Sequence, residues 1–155
     1  MVAQGSEVDT FTDFVTAYEP RLRQSLMAAC GGELGRDAAG EALEYAWEHW
    51  DRVRSMENPV GYLYTVGRNR ARGELRRKRP VFDPVDPVRI PDVEPKLPGA
   101  LAQLSERQRT VVVLIHGYGW TQVEVGDLLG LSRSAVRNHL DRGLSSLRGA
   151  IGDVK

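Results

Sequence analysis

Apolar residues recur along this chain at helical spacing. Phe11, Phe14, Val15, Tyr18 and Leu22 follow the i, i+3, i+4, i+7 pattern of a first helix. Pro20 falls inside that pattern and is expected to kink or split the helix. "CGGELG", residues 30–35, predicts a break. The next stretch, "RDAAGEALEYAWEHWDRV" (36–53), sets Leu43, Ala46, Trp47, Trp50 and Val53 on one face and Glu41, Glu44, Glu48 and Asp51 elsewhere. Trp47 and Trp50 are therefore expected in the core. "SMENP" (55–59) is a second break, and a helix starting near Pro59, where proline suits a first turn, runs into a basic block.

The C-terminal pattern is more sharply punctuated. Ser105 followed by Gln108 is a capping-box pattern, with Val111, Val112, Leu114 and Ile115 continuing its helix until "GYG" stops it. Thr121 followed by Glu124 is a second capping box, opening a short helix with Val125, Leu128 and Leu129. Gly130 can take the left-handed conformation that ends this helix. Ser132 caps a third helix with the stripe Val136, Leu140, Leu144, Leu147 and Ile151.

Six of the eight prolines lie in "PVFDPVDPVRIPDVEPKLP", residues 80–98. Proline removes backbone donors and drives its predecessor out of the helical region, so the stretch reads as a semi-rigid extended linker. The fold class expected is all-α: two small helical domains, kept structurally separate by that linker.

Composition narrows the function classes. The chain has 155 residues, 41% of them hydrophobic, which suits one ordinary globular domain or two very small ones. No apolar run approaches the length of a membrane span, and "MVAQGSEVDT" has neither the basic region nor the apolar core of a secretory signal. The single cysteine, Cys30, excludes an internal disulfide framework; it reads as a small buried residue, and a reducing cytoplasm is the natural compartment. His49, His116 and His139 show no metal-ligand spacing and no nucleophile pattern. No enzymatic activity, catalytic residue, metal or cofactor is expected.

The net charge is zero, yet the charge is strongly segregated. Residues 1–66 hold 5 basic and 11 acidic residues, or −6, whereas residues 67–79, "GRNRARGELRRKR", hold 7 basic and 1 acidic, or +6. Local fields decide what docks where. Arg68, Arg72, Arg76 and Arg79 recur at helical spacing in the basic block, with Arg70, Arg77 and Lys78 beside them and Tyr62 and Tyr64 upstream. Aromatics beside a basic track suit unpaired nucleic acid, whose bases stack on rings while phosphates follow the charge.

Residues 121–140 form a helix-turn-helix pattern, with small Gly126 letting the helices approach and Gly130 making the turn. The second helix buries Val136 and Leu140 and must expose Arg133, Arg137 and Asn138. Arginine pairs with guanine edges and asparagine with adenine, so this face suits the major groove. Ser132 and Ser134 can reach phosphates at the helix N-terminus. His139 stands where an apolar residue often sits.

These two constellations, in this order and joined by a linker, resemble an extracytoplasmic-function (group IV) sigma factor of bacterial RNA polymerase. The resemblance runs from about Phe11 to Ile151. It implies a region-two domain over residues 1–79, a linker over 80–98 and a region-four helix-turn-helix domain over 99–155. The family's Ala-Arg-Asn stands here as Gly67-Arg68-Asn69, and its Asp-Leu-Val-Gln-Glu keeps Asp37 and Glu41 around Ala38-Ala39-Gly40. For the −35 element the resemblance implies contacts from Thr121, Gln122, Ser132, Arg133, Ser134, Arg137, Asn138 and Arg142. For the −10 element it implies Met56, Glu57, Asn58, Tyr62, Tyr64, Arg68, Asn69, Arg72 and Arg76. Asp37, Glu41, Glu44, Tyr45 and Glu48 are implied on the polymerase. The partners implied are core RNA polymerase, through its β′ clamp helices and β subunit, and promoter DNA, both duplex and single-stranded. An anti-sigma factor is a further partner the family often uses. The rival reading is a helix-turn-helix regulator that binds a palindromic duplex alone and never joins the polymerase.

Overall fold

A computed structural model of the chain describes residues 10–77 and 95–152, with the backbone alone for 73–77. Every regular element among the described residues is helical, as the periodicity predicts. Helix α1 (Phe11–Cys30) opens on Thr10, whose hydroxyl accepts from the Asp13 amide at 3.1 Å. It runs unbroken through Pro20, so the expected split does not occur. Pro20 and Thr16 are both exposed, which lets water serve the Thr16 carbonyl that a proline cannot. The break at "CGGELG" shrinks to Gly31, at φ 93°, because Gly32 already begins α2 (Gly32–Glu48).

Close approach, rather than bulk, joins α1 to α2. A Cβ on Gly35 would lie 2.4 Å from the Met27 Cα, so only glycine fits this crossing. The buried stripe of α2 is Ala38, Ala39, Ala42 and Ala46, all 3% exposed or less. Trp47, expected in the core, is instead 64% exposed. The alanine stripe faces α1 and α4, which turns Trp47 outward, against the edge of Phe11 with ring centroids 5.2 Å apart. Trp50 is half-buried against Phe11 and Phe14. It begins a single turn, α3 (Trp50–Val53), set off from α2 at His49.

Helix α4 (Pro59–Arg77) starts as predicted at Pro59, with the Asn58 Oδ1 accepting from the Gly61 amide at 3.1 Å. Its inner face carries Leu63, Tyr64, Gly67 and Ala71.

The proline-rich stretch ends earlier than expected. Leu97 and Pro98 open α5 (Leu97–Gln103), with proline tolerated in the first turn where its missing N–H has no helical partner to lose. Residues 80–94 of the expected linker lie outside the described residues. Both capping boxes form: Ser105 with Gln108 opens α6 (Glu106–Val112), and Thr121 with Glu124 opens α7 (Gln122–Leu129). Between them the chain widens into a π-helical turn, Val113–Gly117. Gly130 takes the left-handed conformation at φ 70°, and Ser132 caps α8 (Arg133–Ile151).

The two helical bodies, α1–α4 and α5–α8, are not separate. α1 packs on α6 and the π turn, and α4 packs on α7. Arg109 is 4% exposed, and its guanidinium donates to the carbonyls of Leu104 at 3.1 Å and of Ala29, in the other body, at 2.8 Å. Arg21 pairs with Glu124 at 2.6 Å and lies over the Trp120 ring at 4.8 Å, while the Trp120 indole donates to Gln24 at 2.9 Å. A linker's proline content fixes its stiffness, not whether the surfaces at its two ends fit each other.

Candidate nucleic-acid interface

The helix-turn-helix is assembled from the residues that predicted it. A Cβ on Gly126 would meet the Leu131 carbonyl at 2.8 Å, so glycine is what lets α7 approach the turn. Val125 and Val136 are fully buried and fix the crossing of α7 and α8. With that face buried, Arg133, Ser134, Arg137, Asn138 and Arg142 are all exposed on α8. Ser132 spends its oxygen on the Ala135 amide at 3.1 Å and lies 3.3 Å from the Ser134 hydroxyl. Thr121 likewise accepts from the Glu124 amide at 3.1 Å, and Gln122 is half-buried beside it. His139 is half-buried, and desolvation, then the charges of Arg107 and Arg142, push its pKa down. A neutral imidazole is the form that suits such a position.

The second constellation is divided by the packing of the two bodies. Met56 is half-buried and Glu57 exposed in the loop before α4. Asn69 and Arg72 stand exposed, Tyr62 is half-buried, and the side chain of Arg76 lies outside the described residues. Tyr64 is 6% exposed, a wall of the inter-body contact instead of an open stacking surface, and burial pushes its phenol up to about 12. Arg68 is bound to both oxygens of Glu106, through Nε and, at 3.1 Å, through Nη2. That hydrogen bonding raises its pKa further. Asn58, besides capping α4, donates to the Asp127 carbonyl of α7 at 2.8 Å. Two of the expected −10 residues are thus held by the second body.

On α2, Asp37, Glu41, Glu44 and Glu48 are exposed, and exposed Trp47 lies among them. Tyr45 is engaged by α3 and α4. Its hydroxyl is 3.0 Å from that of Tyr62 on α4, its ring stacks on His49 at 4.1 Å, and it receives a hydrogen bond from Arg52. His49 and Arg52 follow Tyr45 at i+4 and i+7, a helical spacing kept across the break at His49, and neither was singled out as a site residue in the sequence. Among the described residues no group of acidic, histidine or cysteine side chains is arranged to hold a metal, and no helix is long and apolar enough to cross a membrane.

Comparison with known proteins matches both bodies. The Sigma-70 region 2 model covers residues 14–81 and the Sigma-70 region 4 model residues 100–149. The RNA polymerase sigma factor CarQ of Myxococcus xanthus is 28% identical over 95% of this chain and 92% of its own length. The ECF RNA polymerase sigma factor SigW of Bacillus subtilis is 23% identical over 94% of this chain and 91% of its own. Among solved structures, the fold is similar to the sigma factor RpoE in complex with the anti-sigma factor NepR from Bartonella quintana. There the TM-score is 0.65 at 19% identity, over 91% of this chain and 96% of that one. It is also similar to CnrH in complex with the cytosolic domain of CnrY, with a TM-score of 0.62 at 22% identity over 96% and 92%. Two region models in the expected order, and relatives matching from end to end, agree with the helix-turn-helix and the basic helix: the chain belongs to the extracytoplasmic-function sigma factor family of bacterial RNA polymerase.

Proposed function

We propose that this sigma factor initiates transcription through three surfaces. The acidic face of α2, with Asp37, Glu41, Glu44 and Glu48, docks on core polymerase at the β′ clamp helices, and the β subunit receives the second body. Exposed Trp47 supplies that face with the apolar anchor that Ala38-Ala39-Gly40 does not. Helices α7 and α8 read duplex DNA at −35 through Arg133, Arg137 and Asn138, with Ser132, Ser134, Thr121, Gln122 and Arg142 toward the backbone. The loop before α4 and its outer face hold the opened −10 strand through Met56, Glu57, Asn58, Tyr62, Arg68, Asn69, Arg72 and Arg76. The domain limits are 1–79 and 99–155, and the chain works in the cytoplasm as a non-catalytic subunit. The likeness to a sigma factor solved in complex with an anti-sigma factor supports an anti-sigma partner.

One observation carries this reading. A capped helix-turn-helix with an open Arg133–Arg137–Asn138 face shares a chain with a second body whose α4 presents Asn69, Arg70 and Arg72 beside Tyr62. Duplex reading and strand holding are different tasks, and a regulator that only docks on duplex has no use for the second. Unpairing a base costs a few kcal/mol, which stacking at about 1–3 kcal/mol per base offsets. Reading both elements at once requires the two bodies to part, since Glu106 holds Arg68 and the Asp127 carbonyl holds Asn58. Phosphate is the natural replacement for Glu106, because a guanidinium binds either anion through the same fork.

Run-off transcription on genomic fragments tests the reading. Core polymerase with this chain should give discrete start sites preceded by shared −35 and −10 sequences. Binding of the chain alone to a palindromic duplex, with no effect on core polymerase, would establish the regulator instead.

A further inference from the structure

We propose that the cavity between α4, α6 and α7 binds a small carboxylate with an apolar body, and that such a ligand holds the two bodies closed. Its binding follows from the packing of the bodies alone, while its effect on transcription rests on the function proposed above.

The cavity measures about 280 Å³ and takes its walls from both bodies. Tyr64 and Arg68 come from α4, Glu106 and Arg107 from α6, Leu128 and Leu129 from α7. Tyr64 and Leu128 are buried and Leu129 is half-buried, so one part of the wall is apolar. The polar part is largely paired already. The hydroxyls of Thr65 and Thr110, which also line it, donate to the carbonyls of Gly61 at 3.2 Å and Glu106 at 2.8 Å. Glu106 gives one oxygen each to Nε and Nη2 of Arg68. Two groups are left over. Nη1 of Arg68 has no hydrogen bond among the described residues, and exposed Arg107 has neither a hydrogen bond nor an ion pair among them.

What is left over fixes the chemistry of the occupant. The uncommitted groups are positively charged donors, so the ligand must accept hydrogen bonds and carry negative charge. Two guanidinium groups against the carboxylate of Glu106 leave a surplus of one positive charge, which a monoanion neutralises. A second negative charge would be set against Glu106. The apolar wall calls for a hydrocarbon ring or short chain, because a wholly polar ion would leave Tyr64, Leu128 and Leu129 facing water. At ~30 Å³ for each water, the cavity has the room of roughly nine waters, which suits an ion the size of benzoate or hexanoate. Because its walls come from both bodies, the site exists only while they are closed. A ligand shifts an equilibrium by its differential affinity for the two states. At ten times its Kd, this one multiplies the ratio of closed to parted chains by about eleven. It therefore opposes the release of Arg68 from Glu106 that holding the −10 strand requires.

Methyl-resolved NMR and energy transfer test it on the full chain. Benzoate, phenylacetate and hexanoate are titrated into protein labelled at its leucine methyls, and into protein carrying a dye on each body. At least one of them should shift the Leu128 and Leu129 methyls, and the same titration should raise the closed fraction. Benzylamine has the ring with the opposite charge, and inorganic phosphate has the charge without the ring; neither should do so. Arg107→Ala should leave the other leucine methyls in place and raise the Kd about tenfold, the loss of one charge-assisted contact. Arg107→Lys keeps the charge and should recover part of that loss. Saturating carboxylate should lower run-off transcription by the parent severalfold and leave that by Arg107→Ala little changed. Leu128 and Leu129 methyls unmoved by all three carboxylates, or equal affinity in Arg107→Ala, overturn the site. Binding without a rise in the closed fraction overturns the closing role. A chain that gives no promoter-specific transcription even without ligand overturns the proposed function, and the NMR and dye titrations still decide the site.

Discussion

Arg68, on the basic helix of the first body, is clamped by Glu106, the first residue of a helix in the second body: Nε and Nη2 each reach one carboxylate oxygen, the latter at 3.1 Å. A residue expected to hold promoter DNA is therefore occupied by a carboxylate from its own chain. The pair is about one-third exposed on either side, so solvent screens it and it contributes about 0.2–1 kcal/mol to closure. Glu106→Gln should shift the equilibrium between closed and parted bodies by up to about fivefold toward the parted form. Single-molecule energy transfer between dyes on the two bodies reads this directly. A distribution identical to the parent's would show that closure does not depend on the pair.

Arg109 is the buried counterpart of that contact. Its truncation to alanine deprives the carbonyls of Ala29 and Leu104 of their donor. A buried polar group left without a partner costs about 1–3 kcal/mol. The urea midpoint of Arg109→Ala should fall accordingly at unchanged slope. An unaltered midpoint would mean that water replaces the guanidinium without loss.

How much of this was legible in the sequence depends on distance along the chain. Ser105 with Gln108, Thr121 with Glu124, and the Gly130 turn before Ser132 act within three or four residues, and all formed where the pattern put them. The alanine stripe of α2 was also legible, as the i, i+4, i+8 spacing of Ala38, Ala42 and Ala46, but the larger Trp47 drew attention to the wrong face. Arg109 reaching Ala29 across 80 residues, and Glu106 meeting Arg68 across 38, have no local signature. The proline-rich stretch between them suggested separation. The meeting of Arg52 with Tyr62 was hidden for a related reason, since the loop before Pro59 sets it, although Tyr45, His49 and Arg52 share the i, i+4, i+7 spacing of one helical face.

Glu124 links pH to both the helix-turn-helix and the closed arrangement. Its pKa is lowered by the Thr121 amide first and by Arg21 next. A carboxylate depressed in the folded state adds stability that is present above its unfolded pKa and lost as pH falls through the folded one. Acidification below the ordinary carboxylate range should therefore loosen the start of α7 and the Arg21 bridge together. Glu124→Gln keeps an acceptor for the capping box and should flatten that part of the acid limb in circular dichroism. An acid limb matching the parent's would place the transition on other carboxylates.

On the proposed function, Gly126 and Arg137 separate the scaffold of −35 reading from its content. Gly126→Ala sets a methyl 2.8 Å from the Leu131 carbonyl. Overpacking of this kind costs about 1–3 kcal/mol, and it should weaken duplex binding at every base position alike. Arg137→Ala leaves the scaffold intact and should relax preference at one −35 base pair by about 1–3 kcal/mol. Selection from a randomised −35 library distinguishes the two; an unchanged preference in Arg137→Ala removes that residue from the reading face.

The central claim is that the basic helix opens and holds the −10 strand. The most direct measurement compares two templates for the variant with Arg68, Asn69 and Arg72 all replaced by alanine, assembled with core polymerase. One template is fully duplex; the other carries a bubble already melted over −10. The account predicts loss of transcription on the duplex, partial recovery on the bubble because the opening cost has been removed, and undiminished polymerase binding. Equal loss on both templates would contradict it and reduce the helix to an electrostatic anchor.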